Sequence, residues 1–226
     1  MRPTRSIADQ LAELDRLGVF TLAGEREAQV RAAAAGLPDT AAHALVGLHP
    51  GWFAASALAP LLTRGEKSGF VVADMVDVDQ FLPVGVELVD APLYLVHGAC
   101  RGDDLRNVSP EEALAQWEGG SRRPLTLHEG LSWALTHPEV IEPNACFMTV
   151  ASRKVKKLSA AGDPTFDSRT PALWISSGTG RDGAEHRGAP KLGWCWWRNR
   201  HTWLGIASAE RHTPSPPGMR WLATAS

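Results

Sequence analysis

Arg181, Asp182 and Lys191, then Arg198, Asn199 and His201, bring anion-binding and acid–base groups into one stretch of the chain, beside Trp196 and Trp197. Arg101 and Asp103 form an earlier pair of the same kind. Guanidinium and ammonium groups hold carboxylates or phosphates. A histidine exchanges a proton near neutral pH, and an indole offers a flat apolar face with a polar edge. Such a set suits a non-catalytic site for a polar small molecule or a protein partner. A second reading is an enzyme acting on a polar or phosphorylated small molecule, with Arg181, Lys191 and His201 as anion-binding or acid–base groups. The bland account of the same residues is a solvated network of salt bridges.

Familiar chemistries fail on spacing. Gly178-Thr179-Gly180-Arg181-Asp182-Gly183 spells G-x-G-x-x-G after a strand-like run. A dinucleotide site needs that loop to open a helix, and only four residues precede Gly188 and Pro190. G-x-x-x-x-G-K-[ST], G-x-S-x-G and H-E-x-x-H do not occur, nor do the kinase motifs H-R-D-x-x-x-x-N and D-F-G. Cys195 with His201 could form a nucleophile pair, but a thiol inside a tryptophan-rich strand more often packs than reacts. Asp74, Asp77 and Asp79 offer oxygen ligands for a hard cation, yet the glycine and closing Glu of an EF-hand are missing. Turn and cap roles are the commoner use of such Asp residues. No metal is assigned, and no cofactor is indicated.

The elements that must position these residues show in the periodicity. Five of nine tryptophans fall within 169–209, where apolar runs predict strands at 172–177, 191–197 and 202–208, tied by a glycine-rich loop and a tight turn at Asn199-Arg200. Both faces of 191–197 are apolar, which predicts a central strand covered on both sides. If the loop folds back along that strand, Arg181 and Asp182 meet the 198–201 turn in one polar patch beside Trp196 or Trp197. Helical spacing of Ile7, Leu11, Leu14 and Leu17 predicts a helix after Ser6. Further helices are expected at 25–35, 40–46 and 54–62, and strands at 70–75, 93–100 and 146–151. Ser109 with Glu112, and Thr126 with Glu129, are capping boxes opening helices at 109–119 and 126–136. These two helices are expected to cover one face of the sheet. The basic run from Arg153 to Lys157 lies in a polar excursion reaching Arg169, and reads as a solvated loop.

The whole reads as a single α+β domain over 1–212: a helical N-terminal layer (1–66) packed on a body (67–212) holding a mixed, largely antiparallel sheet and two capped helices. Residues 213–226, proline-rich, are expected to form a loosely ordered tail. A net charge of −2 gives no electrostatic ground for nucleic-acid binding, and no apolar run is long enough for a membrane span or signal core. Cys100, Cys146 and Cys195, odd in number and set in apolar runs, predict reduced, buried thiols and a cytoplasmic setting.

The segments F-V-V-A-D-M-V-D-V-D, R-G-D-D-L-R-N-V-S-P-E-E-A-L, T-P-A-L-W-I-S-S-G-T-G-R-D-G, A-P-K-L-G-W-C-W and N-R-H-T-W-L-G-I-A-S-A resemble a family of actinobacterial proteins known only as a domain of unknown function, number 5701. The resemblance runs from about Phe70 to Ala209. It implies a bacterial cytoplasmic protein and carries over no activity or catalytic residue.

Overall fold

The structure, a computed structural model, describes residues 2–39 and 43–211. Its centre is a five-stranded sheet in the order Leu204–Ile206, Cys146–Met148, Arg169–Ile175, Pro190–Trp196, Phe70–Val71. The two outer pairings are parallel and the two inner ones antiparallel. Among the described residues five two-stranded ribbons, all antiparallel, accompany it. The fold is α+β with a mixed, largely antiparallel sheet.

Alternation along Arg169–Ile175 divides the interior into two cores, because successive side chains of a strand leave by opposite faces. Leu173, with Phe147 and Leu192, joins the larger core, which contains Leu127 and Leu131 of helix Leu127–Thr136 and much of the N-terminal region. Ala172, with Met148 and Cys195, joins the smaller one, closed by Ala113, Leu114 and Trp117 of helix Pro110–Trp117. The two capped helices therefore cover opposite faces of the sheet, where one shared face was expected. Every residue of Leu127–Thr136 is buried. Gly130 lets that helix approach the sheet, since a Cβ there would stand 2.5 Å from Thr149 Cγ2.

Both capping boxes form as the sequence predicts, and Ser6 caps helix Ile7–Arg16 by accepting from the Asp9 N–H. The second box is part of a larger arrangement. Glu129, fully buried, accepts the Thr126 N–H (2.8 Å), both guanidinium ends of Arg123 (2.7 and 2.9 Å) and the Tyr94 hydroxyl (3.2 Å).

Several expectations are corrected. Residues 45 and 46, expected to end a helix over 40–46, instead open strand Leu45–Leu48, paired with Leu93–Val96; 40–42 and the expected tail at 213–226 lie outside the described residues. The strand forms because Gln10 reaches in from the first helix, donating to Ala44 O and accepting from Val46 N, while Leu45, Val46 and Leu48 are buried. The strand expected over 70–75 stops at Val71, because a turn at Val72–Met75 buries Met75. Pro190–Trp196 consequently gains a second neighbour only at Lys191 and Leu192, and the central position belongs to Arg169–Ile175. The region expected as one strand over 202–208 splits in two. Leu204–Ile206 joins Cys146–Met148, and Ser208–Glu210 pairs with Arg122–Pro124. The basic excursion contains a hairpin, Val155–Leu158 with Pro164–Phe166. Among the described residues no helix is long and apolar enough to cross a membrane.

Candidate functional site

The register of the two long strands decides where the chemistry-bearing residues lie. Ile175 faces Pro190 and Arg169 faces Trp196, so the glycine loop sits at one end of Pro190–Trp196 and the 198–201 turn leaves from the other. A strand of that length spans roughly 20 Å. The ten expected residues therefore divide between two places, and the shared patch is not formed.

At the loop end, two short helical turns, Gly180–Asp182 and Ala184–His186, take the place of the helix a dinucleotide site would need. Asp182 pins the loop, accepting from Lys191 Nζ (2.5 Å) and Ser176 Oγ (2.7 Å). Burial pushes its carboxyl up, but the Lys191 and Ser176 donors outweigh that and hold it below the usual carboxylate range. Lys191 lies 4.5 Å over the Trp174 ring and is itself buried. This pair is spent on holding the loop. Arg181 projects outward, 81% exposed, and meets Asp74 at 3.4 Å.

At the other end, Arg198 pairs with Glu111 at 3.2 Å and Arg200 with Glu112, which ties the turn to the first turn of helix Pro110–Trp117. The His201 carbonyl accepts the Asn107 N–H; its imidazole is pulled down by burial, and Nε2 is buried without a partner. Asn199 closes the turn on the Trp196 carbonyl. Trp197 lies under the Arg153 guanidinium at 3.6 Å. Arg101 is buried, grips Asp103 through two 2.8 Å bonds and donates to the Val140 and Ala145 carbonyls. It is an internal brace. Burial pushes the Cys195 thiol up to about 12, so it is neutral at pH 7 and unsuited to attack. All three cysteines are free, Cys146 and Cys195 buried and Cys100 half-buried.

The acidic trio holds the parts together in a way its spacing did not reveal. Asp74 accepts the Trp194 indole N–H at 3.2 Å and the Arg181 guanidinium. Asp77 accepts from Arg169 (2.6 and 3.0 Å) and from Lys154 (2.6 Å). Asp79 accepts the Ser56 N–H and hydroxyl. Each carboxylate is thus taken by a different protein donor, in keeping with structural use. The matching charge was visible only as two separate runs, acids at 74–79 and bases at 153–169.

What the strand between these two ends presents to solvent is an aromatic pair on this acidic anchor. Trp194 and Trp196 meet edge to face with centroids 4.5 Å apart, and Trp196 is 47% exposed. Asp74 joins them to Arg181, so four residues from three segments make one surface. A separate cavity lies by Trp52, Asp79 and His128; the sequence singled out Asp79 only within the acidic trio, and gave no sign of the other two.

Asp77 carries a pH prediction. The Arg169 hydrogen bonds, then Lys154, pull its carboxyl down against burial, to about 2 from an ordinary 3.8. A lowered folded-state pKa stabilises the fold above the unfolded value and loses that contribution as pH falls through the folded one. Asp77→Asn should cost about 1–2 kcal/mol at neutral pH, allowing for solvent screening. The gap from wild type should close between about pH 4 and pH 2. Urea titrations across that range measure it, and a gap independent of pH would refute the pairing.

A mixed α+β domain with pinned loops and one displayed aromatic face is the class of protein that fold and site define. By its match to the family of unknown function DUF5701 over residues 13–215, the chain belongs to that family. The match takes in most of the N-terminal region as well as the tryptophan-rich part. No curated protein and no solved structure matches it.

Proposed function

We propose that the protein is a non-catalytic binding module that takes a polar small molecule or a protein segment on the face made by Trp194, Trp196, Asp74 and Arg181. One observation carries this reading: Trp196 stays half-exposed while its neighbours fix it from behind, edge-on against Trp194, whose indole is anchored on the carboxylate that also meets Arg181. A large aromatic held in place before binding loses little freedom on contact, which is why indoles recur as anchors of binding surfaces. Of the remaining members of the expected set, Lys191 and Asp182 support the face by fixing the loop, and Arg198, Asn199 and His201 by fixing the turn; Trp197, Arg101 and Asp103 brace other parts of the fold. Free thiols and the family resemblance favour a bacterial, actinobacterial cytoplasm as its setting.

The test is a thermal-shift screen of metabolites, since a ligand that binds only the native state raises its apparent stability. Tryptophan-fluorescence titration of the hits follows. Trp196→Ala and Arg181→Ala should abolish the response while changing unfolding free energy by about 1 kcal/mol or less. Intact binding in both variants, or a large loss of stability from either, would show that these residues serve the fold alone.

A further inference from the structure

Strand Pro190–Trp196 is paired along its whole length with Arg169–Ile175, but on its other edge only Lys191 and Leu192 have partners. That second pairing ends where the Val72 N–H donates to the Leu192 carbonyl (2.9 Å). In a continued parallel ladder the next bond would run from the Trp194 N–H to the Val72 carbonyl. The Val72 carbonyl instead accepts the Met75 N–H at 3.0 Å. Arg169 then donates to the Asp74 carbonyl and grips Asp77, so the chain leaves across the face of the sheet and not along its edge.

The ladder fixes where the leftover backbone groups point. Trp194 stands opposite Pro171, which has no N–H, and the Pro171 carbonyl accepts the Thr149 N–H on its far side. The two are therefore a non-hydrogen-bonded pair, and the N–H and C=O of Trp194 point away from Arg169–Ile175, towards the open edge. Trp196, two residues on, has the same orientation. Its carbonyl accepts the Asn199 N–H at 3.1 Å, and its N–H is directed outward. Among the described residues no hydrogen bond reaches the Trp194 N–H, the Trp194 carbonyl or the Trp196 N–H. A strand edge in this state accepts another extended chain.

The side chains along the edge say what that chain carries. Trp194 and Trp196 share one face, and the side chains of an added strand would lie opposite them, two residues apart. Trp196, 47% exposed, offers its indole to an apolar neighbour. Beside Trp194 lies Arg181, 81% exposed, whose one partner among the described residues is Asp74 at 3.4 Å. The rest of its N–H donors are open to a second carboxylate.

We propose that the open edge at Trp194–Trp196 takes an extended segment of a protein partner as an added antiparallel strand. A large apolar residue of that segment packs against Trp196, and an acidic one, two residues on, lies beside Trp194 within reach of Arg181. Antiparallel alignment lets a single incoming residue donate to the Trp194 carbonyl and accept its N–H. Strand addition rests on the Trp196 face being a binding surface, and it names a polypeptide backbone as the ligand.

The probe is the peptide acetyl-Thr-Val-Phe-Val-Glu-Val-Thr-amide, whose Phe falls opposite Trp196 and Glu opposite Trp194. It is titrated into the full chain labelled with 15N, and amide hydrogen exchange is followed at Trp194, Cys195 and Trp196. In the free protein the Trp194 and Trp196 amides should exchange fast, and that of Cys195, which pairs with Thr170, slowly. Saturating peptide should slow the two tryptophan amides about tenfold or more. Lys in place of the peptide's Glu should weaken binding about tenfold. N-methylation at that Glu should abolish binding, while N-methylation at the Val between Phe and Glu, whose N–H points outward, should be tolerated. No saturable response, unchanged exchange at Trp194 and Trp196, or equal affinity of the Glu-methylated peptide would overturn strand addition. Equal affinity of the Lys peptide would overturn the acidic partner. Slow tryptophan amides in free protein that sediments as a dimer would also overturn it, by making a second copy the occupant. A metabolite that quenches Trp196 while both amides still exchange fast would overturn strand addition and leave the binding face standing.

Discussion

Replacing Glu129 by Ala should lower the unfolding free energy by about 3–5 kcal/mol, the cost of removing one partner from a buried ion pair. Arg123 would keep its charge in the interior with its two carboxylate bonds gone, and Tyr94 and the Thr126 N–H would each lose an acceptor. Urea unfolding at neutral pH measures the effect, seen as a lower midpoint at unchanged slope. The same substitution at Glu112 should cost far less. That carboxylate also closes a capping box, but it lies 42% exposed. A double replacement, Arg123→Met with Glu129→Leu, should recover part of the loss, because it removes both charges together. If Glu129→Ala proved no more costly than Glu112→Ala, the buried network would have no energetic standing beyond its cap.

Gly205→Ala should cost about 2–4 kcal/mol. A Cβ at Gly205 would stand 2.5 Å from the Arg101 carbonyl oxygen and 2.8 Å from that of Gly102. Both are backbone atoms in a tightly braced turn, so relief requires strand Leu204–Ile206 to move away from it. Gly102→Ala should be at least as damaging. Its φ of +72° is one that an L side chain rarely adopts, and its Cβ would meet the Ile206 carbonyl. Thermal melts of the two variants test this, and a melting temperature for Gly205→Ala within a degree or two of wild type would mean that the contact yields easily.

What the sequence discloses of this fold is what neighbouring residues decide among themselves. Ser109 with Glu112 and Thr126 with Glu129 lie three apart, and such boxes close within one turn, so both helix starts were legible. The apolar run around Trp194 marked a strand for the same reason. Partners far along the chain left no such mark. Nothing at 204–206 says that it will run parallel to 146–148. Nor does anything near Asp77 point to Arg169, ninety-two residues on. The acids at 74–79 looked like a cation site because their donors are supplied from elsewhere. The site reading shared that limit: it placed Arg181 beside the tryptophans, but could not supply Asp74 as the link or know that register separates the 198–201 turn. His128 was hidden by its setting in an apolar stripe, where a histidine reads as core.

Leu204–Ile206 and Ser208–Glu210 join segments made long before them: the first pairs with Cys146–Met148, the second with Arg122–Pro124, and Ser208 also bridges to Cys100. Synthesis runs from the N-terminus, so the earlier partners emerge from the ribosome first and wait for residues 204–210. Contacts of this sequence separation are slow to form, and until they do, the outer edge of Cys146–Met148 and the groove over Gly102 stay uncovered. An open strand edge invites pairing with another chain. The nascent protein therefore stays exposed to aggregation until residues 204–210 have emerged and paired, and any pause that delays their emergence would lengthen that interval.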